Sequence, residues 1–217
     1  MADPAGAYLV IRSTAPDIRF REFHAAVSER HPVAGSARLH EIAVLEPGSV
    51  PAHTLILPFA DKAAARAAYA EMPTGMLSRP EAPLALLTGA VPAEGFPDPA
   101  IPTRANVRAA ADDMGGGAPV LMLIEGTGRD QDRMDRYRDI LLPMMFDLGA
   151  YYTVFDLGGS VEVLSGSWSE AIFAISRWPS RAAAERFWMS ERYQREAIPL
   201  RIDIGRFEVA LIPEAAG

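Results

Sequence analysis

Short runs with strand-like alternation are separated by stretches with helical spacing, and the same order of runs occurs twice. In the second half, Val120–Gly126 is an apolar run that closes on Gly126-Thr127-Gly128. From Asp130 to about Leu148, Met134, Tyr137, Leu141, Met144, Met145 and Leu148 form one stripe at helical spacing, and Gly149 supplies the C-terminal stop. Pro143 inside that stretch is expected to kink the helix or to begin a second short one. Tyr151–Asp156 and Val161–Leu164 read as one strand interrupted at Gly158-Gly159. Glu170–Trp178 alternates as a strand, Ser180 is placed to cap a helix that runs to about Gln194, a short helical turn follows Pro199, and Arg206–Ile212 is the last strand.

The first half repeats the order. Ala7–Ser13 reads as a strand and Asp17–His31 as a helix with Ile18, Phe20, Phe23 and Val27 inward. Ala37–Glu46 and Ala52–Phe59 read as a hairpin across Pro47–Pro51, Asp61 caps an Ala-rich helix to about Met72, and Pro83–Val91 closes the unit. Tyr8 to Leu121 spans 113 residues (121 − 8) and Asp61 to Ser180 spans 119 (180 − 61), so the two copies drift only by loop length. The chain therefore divides into a first unit over 1–95, a Pro/Gly-rich linker over 96–118 and a second unit over 119–217. A short helix is expected within the linker, from Thr103 to Met114.

A β-α-β-β-α-β unit places two helices on one face of a four-stranded antiparallel sheet. The first strand carries Tyr8 and Val10 on one side and Leu9 and Ile11 on the other, so both faces need cover. Helices cover one face, and the sheet of the other copy is the economical cover for the second. The expected fold is α+β, with two antiparallel sheets packed face to face within one chain.

Composition narrows the chemistry. With no cysteine, disulfides, thiolate nucleophiles and thiolate metal sites are out. Net charge is −7, with 9 basic and 11 acidic residues in 1–105 and 12 basic and 17 acidic in 106–217, so the basic footprint of a nucleic-acid partner is missing. The apolar runs are too short to span a bilayer, and Met1-Ala2-Asp3-Pro4 opens no signal peptide, so a cytoplasmic protein without a membrane partner is expected.

Several short motifs of the second half occur in an order that resembles a known family. They are Tyr137-Arg138, Pro143, Gly158-Gly159, Glu162-Val163-Leu164-Ser165-Gly166-Ser167-Trp168, Trp178-Pro179-Ser180 and Ser190-Glu191-Arg192-Tyr193-Gln194. Together they resemble the Domain of Unknown Function 1330 family, over roughly 119–213. The first half shares only the element order and has Pro47-Gly48-Ser49-Val50-Pro51 in its hairpin. The resemblance implies ferredoxin-like units paired as in the dimeric α/β-barrel superfamily, either as a monomer with pseudo-twofold symmetry or as a homodimer. It implies no activity, because that superfamily spans cofactor-free monooxygenases, lactone isomerases, cyclases and haem enzymes.

Arg12 and Glu125 occupy equivalent positions of the two first strands, 113 residues apart (125 − 12). A charge on a central strand is costly unless paired, so the two either meet or flank a ligand across the pseudo-twofold, or lie solvated at strand ends. His40 alternates with Arg38, Ile42 and Val44 and is placed to face the space between the sheets. Arg12, His40 and Glu125 are accordingly the candidate catalytic residues. Tyr137, Arg138, Trp168 and Arg177 are the candidate ligand contacts: Tyr137 needs a partner for its hydroxyl, Trp168 sits in a turn, and Arg177 lies on a central strand. The spacing of His24, His31, His40 and His53 fits no shared ion, so no metal is expected, and no cofactor motif is complete. Two readings follow. One is a protein that binds or transforms a small, largely apolar organic molecule between sheet and helices, by isomerisation, cyclisation or cofactor-free oxygenation. The other is a non-catalytic stress or assembly module whose packed sheets are simply core.

Overall fold

The structure is a computed structural model that describes residues 5–47, 49, 51–78, 82–107, 117–157 and 159–215. The first unit consists of β1 (Ala7–Ser13), α1 (Asp17–Ser28), β2 (Gly35–Ala37), β3 (Ala43–Val44), β4 (His53–Phe59), α2 (Lys62–Glu71) and β5 (Leu84–Gly89). The second has β6 (Val120–Gly126), α3 (Gln131–Asp147), β7 (Tyr151–Asp156), β8 (Glu162–Ser165), β9 (Ile172–Trp178), α4 (Arg181–Trp188), a π turn (Tyr193–Ala197), α5 (Ile198–Arg201) and β10 (Phe207–Pro213). Side-chain caps form at Asp61 and Ser180 as expected, accepting from the Ala64 and Ala183 amides, and Asp130 adds a third by accepting from Arg133. Gly149 takes a left-handed φ of 69° beyond α3.

The strands form two antiparallel five-stranded sheets, ordered β2-β4-β1-β5-β8 and β3-β10-β6-β9-β7. When each strand is replaced by its counterpart in the other copy, one order becomes the other. The expected α+β architecture of two paired ferredoxin-like sheets therefore holds, with one addition. Each unit gives up its short third strand to the other sheet: β3 pairs with β10, Val44 opposite Ala210, and β8 pairs with β5, Val163 opposite Leu86. Because both halves of this exchange lie in one chain, closing the paired sheets needs no second copy.

This exchange corrects two expectations. Ala37–Glu46 is not one arm of a plain hairpin. Only Gly35–Ala37 pairs with β4, and a 3₁₀ turn at Leu39–Glu41 then carries the chain to the other sheet. Likewise Tyr151–Asp156 and Glu162–Ser165 are not one bulged strand but belong to different sheets. Of the glycine pair between them, Gly159 adopts φ +76° and Gly158 lies outside the described residues. Beyond that turn, β8 is tied to the first unit by Arg66, whose guanidinium binds Glu162 at 2.7–2.9 Å, and by Lys62, whose Nζ donates to the Ser160 carbonyl at 2.9 Å.

Alternation along the central strands divides the core. Leu9 and Ile11 of β1 pack under α1 with Phe20 and Phe23, while Val10 faces the other sheet. In β6, Met122 faces the helices, whereas Leu121 and Leu123 join Val10, Ile56, Leu86, Val154, Phe173, Ile175 and Ile212 between the sheets. Burying such side chains contributes roughly 1.5–3 kcal/mol each, so this apolar interface is a substantial bond between the units.

Three local expectations change. Ile18 is exposed on α1 rather than inward. Helix α3 continues through Pro143, which lies on its exposed face, so no second helix begins there. The helix after Ser180 stops at Trp188 and resumes through the π turn instead of running to Gln194. The first part of the segment expected as a linker packs along β7: Ile101 is buried, Pro102 accepts from the Tyr152 amide at 2.9 Å and Val91 donates to Thr153 at 2.9 Å. Thr103–Asn106 forms a turn, and most of the helix expected there lies outside the described residues.

His53 is buried at the start of β4, stacked on Phe20 with ring centroids 4.7 Å apart, and its Nδ1 accepts from the Leu39 amide at 3.2 Å. Burial pushes its pKa below the ordinary histidine value, and the same cause lowers His24. The unfolded chain then takes up the proton first as pH falls, so stability present above about pH 6.5 is lost toward the lower folded pKa. The urea midpoint should therefore drop between pH 7.5 and 5.5, and His53→Gln should flatten that drop. An equally steep drop in the variant would contradict this account.

Candidate functional site

The seven candidate residues fall in four places. Arg12 and Glu125 do meet across the pseudo-twofold: Nη1 lies 2.6 Å from Oε1, with side chains 15% and 6% exposed. Trp168 Nε1 donates to the other Glu125 oxygen at 3.0 Å and sets its ring edge-on to Phe173, and Glu208 approaches Arg12 to 3.5 Å. This cluster ends the aliphatic interface between the sheets. Arg177 lies toward the other end of β6, opposite Leu121, where its Nε donates to both oxygens of Glu214 at 3.0 and 2.9 Å.

His40 does not face the space between the sheets. It is exposed on the 3₁₀ turn, 3.9 Å from Glu41, because the sheet exchange replaces the strand that would have turned it inward. Among the described residues, no three histidine or carboxylate side chains are grouped to hold a metal ion.

Tyr137 and Arg138 come from α3 and line a cavity of about 120 Å³ between the second sheet and its helices. The walls are largely apolar, with Met122, Tyr152, Phe155 and Trp178 from the strands and Met145, Phe187 and Trp188 from the helices. Exposed Gln131 and Leu157 lie at its mouth with Arg138 and Asp135, and Gln131 donates to Asp135 at 2.9 Å.

The floor carries the polar groups. The Tyr137 and Tyr193 hydroxyls are 2.7 Å apart. Tyr193 reaches this position from the π turn, a wider turn that is frequent at functional sites. Buried Arg201 lies beside them, its guanidinium 5.5 Å from the Tyr137 ring, 5.6 Å from Trp188 and 4.5 Å from Phe207. Its counter-ion, Glu46, comes from the first unit, in the segment that donates β3. Burial, then Tyr137, raises the Tyr193 pKa, so this hydroxyl stays protonated at neutral pH. Burial opposes the Arg201 charge, but its pKa is still raised, and with the Tyr193 hydroxyl protonated the Glu46 carboxylate is the counter-charge that balances the guanidinium at neutral pH. The floor therefore presents hydrogen-bond donors.

Sequence reasoning takes the aromatics as core and misses Arg201. The signal was a charge on the inward stripe Tyr193–Ala197–Arg201, four residues apart at each step.

Two ferredoxin-like sheets paired face to face, each backed by its own helices, have the dimeric α/β-barrel class of fold. Within that class, residues 119–215 match the family described as Domain of unknown function (DUF1330), so the second half carries the family expected from its motifs. Comparison with curated proteins gave no match. Similar solved structures include an anthrone oxidase-like protein, at 13% identity and a TM-score of 0.48, covering 99% of this chain and 92% of that one. A chlorite dismutase variant from Candidatus Nitrospira defluvii is similar at 14% identity and a TM-score of 0.47, covering 100% of this chain and 96% of that one. Neither likeness says what this chain binds.

Proposed function

We propose that the protein binds a small, largely apolar organic molecule in the cavity between the second sheet and its helices. One observation carries this reading: an apolar, ring-lined cavity closes on three convergent donors, Tyr137, Tyr193 and Arg201, as ligand sites do. A dry cavity of about 150 Å³ takes up benzene, so about 120 Å³ with an open mouth suits a single ring. Binding is favoured over isomerisation, cyclisation or oxygenation, each of which would need a proton acceptor at the ligand. The carboxylates in reach, Asp135 and Glu46, are engaged by Gln131 and Arg201. Arg12 and Glu125 serve in this reading as the ion pair joining the sheets, with Trp168 as its lid. The apolar filling between the sheets supports that assignment.

The test uses p-cresol as probe. Wild-type protein should bind it by titration calorimetry and gain thermal stability, and Ala174→Leu, which fills the cavity from β9, should lose both responses while remaining folded by circular dichroism. Wild-type protein that takes up no single-ring probe, or a variant that binds p-cresol as before, would sink the reading.

A further inference from the structure

The cavity is lined by the second unit, but the charge balance of its floor is not supplied by that unit alone. Tyr137, Tyr193 and Arg201 belong to the second unit, whereas Glu46, the carboxylate that pairs with Arg201, belongs to the first. Glu46 is held there by backbone pairing. The Leu45 amide donates to the Val209 carbonyl at 2.9 Å, and the Val209 amide donates to Ser49 Oγ at 3.1 Å. The strand exchange thus brings a negative charge to the back of a cavity that otherwise ends on a cation.

From this we infer that Glu46 is a specificity-determining residue and that the cavity selects neutral ligands bearing a carbonyl, amide or hydroxyl oxygen over carboxylates of the same shape. The inference rests on the cavity being the ligand site and adds the ligand's charge. A buried arginine facing a cavity would ordinarily mark an anion site. Here its charge is already balanced. With Arg201 at +1 and Glu46 at −1, the floor sums to zero, and a ligand carboxylate would leave a net −1 among Trp188, Phe207 and the tyrosines. Burying a charge without its own counter-ion is strongly unfavourable. A neutral oxygen meets no such penalty. It can accept from the tyrosine pair, where one hydroxyl donates to the other and the second proton is left for the ligand. It can also face Arg201 Nε, which is buried with no hydrogen-bond partner among the described residues. At the mouth, one cation, Arg138, and one carboxylate, Asp135, line the cavity, so the mouth adds no net charge that would favour anions.

Benzamide and benzoate are close in shape and differ in charge, so they are the probes. Titration calorimetry at neutral pH should give benzamide the tighter binding by about tenfold or more, the scale expected when a buried charge lacks a partner. In Glu46→Gln, Arg201 loses its counter-ion and the ratio should shrink or invert, with benzoate gaining most. The inference is overturned if wild-type protein binds benzoate as tightly as benzamide, a result that needs no variant. It is also overturned if Glu46→Gln, shown folded by circular dichroism, leaves the ratio unchanged. If p-cresol binds and Ala174→Leu abolishes that binding while benzoate still equals benzamide, the cavity reading stands and only the charge selection falls. If no single-ring probe binds, both fall together.

Discussion

Arg12→Met is expected to destabilise the fold by about 3–5 kcal/mol, the range for breaking a buried pair from one side. The carboxylate it abandons, Glu125, sits on the central strand β6 and is 6% exposed. Trp168 Nε1 would still donate to it, one neutral N–H in place of a guanidinium. The reverse change, Glu125→Leu, should cost less, because Arg12 is more exposed and keeps Glu208 at 3.5 Å. The double variant should return to within about 2 kcal/mol of wild type, since an apolar pair of similar volume can replace a buried ion pair at little cost. Urea denaturation of all four proteins gives the coupling energy directly. Additive losses in the double variant would mean that Arg12 and Glu125 act separately, and that the ion pair does not tie the sheets together.

The same pair shows what local sequence can carry. Tyr8, Val10 and Arg12 alternate with Leu9 and Ile11, so the side of the sheet that Arg12 occupies is legible from its neighbours, and the internal repeat supplies Glu125 as its counterpart. Tyr137 is legible for a related reason, since the helical stripe it belongs to is long and regular. The strand exchange is not legible in this way. Ala43 and Val44 form a two-residue strand whose partner, β10, is the last strand of the chain, and alternation through Ala37–Glu46 fits a hairpin equally well. That error moves His40, because its inward position depends on a strand that is replaced by a turn. Arg201 stands on a regular stripe, but what lets it be buried there is hidden for a third reason. Its burial is tolerable only because of Glu46, 155 residues away, and because a π turn rotates Tyr193 onto the same face. Pairing over such a distance leaves no periodic trace.

Arg201→Met should cost about 2–3 kcal/mol, somewhat less than the loss at Arg12 despite deeper burial of the arginine. The difference lies in the partner left behind: the Glu46 side chain is 20% exposed and can turn toward water, which Glu125 cannot. Part of the cost is stacking, since the guanidinium lies within 6 Å of three rings, and each such contact is worth roughly 0.5–2 kcal/mol. Arg201→Lys should therefore recover only a minor share, because an ammonium keeps the charge but loses the planar face and the fork. The two substitutions are best read by thermal denaturation together with amide hydrogen exchange. Exchange is the more telling measurement, because loss of the Arg201–Glu46 pair releases one anchor of the donated segment. Protection should fall first at Leu45, whose amide bonds to Val209, while Val10 and Leu123 between the sheets stay protected. Full stability in Arg201→Lys would show that charge alone matters at this position. Unchanged exchange at Leu45 would show that β3 is held by its backbone pairing without help from the ion pair.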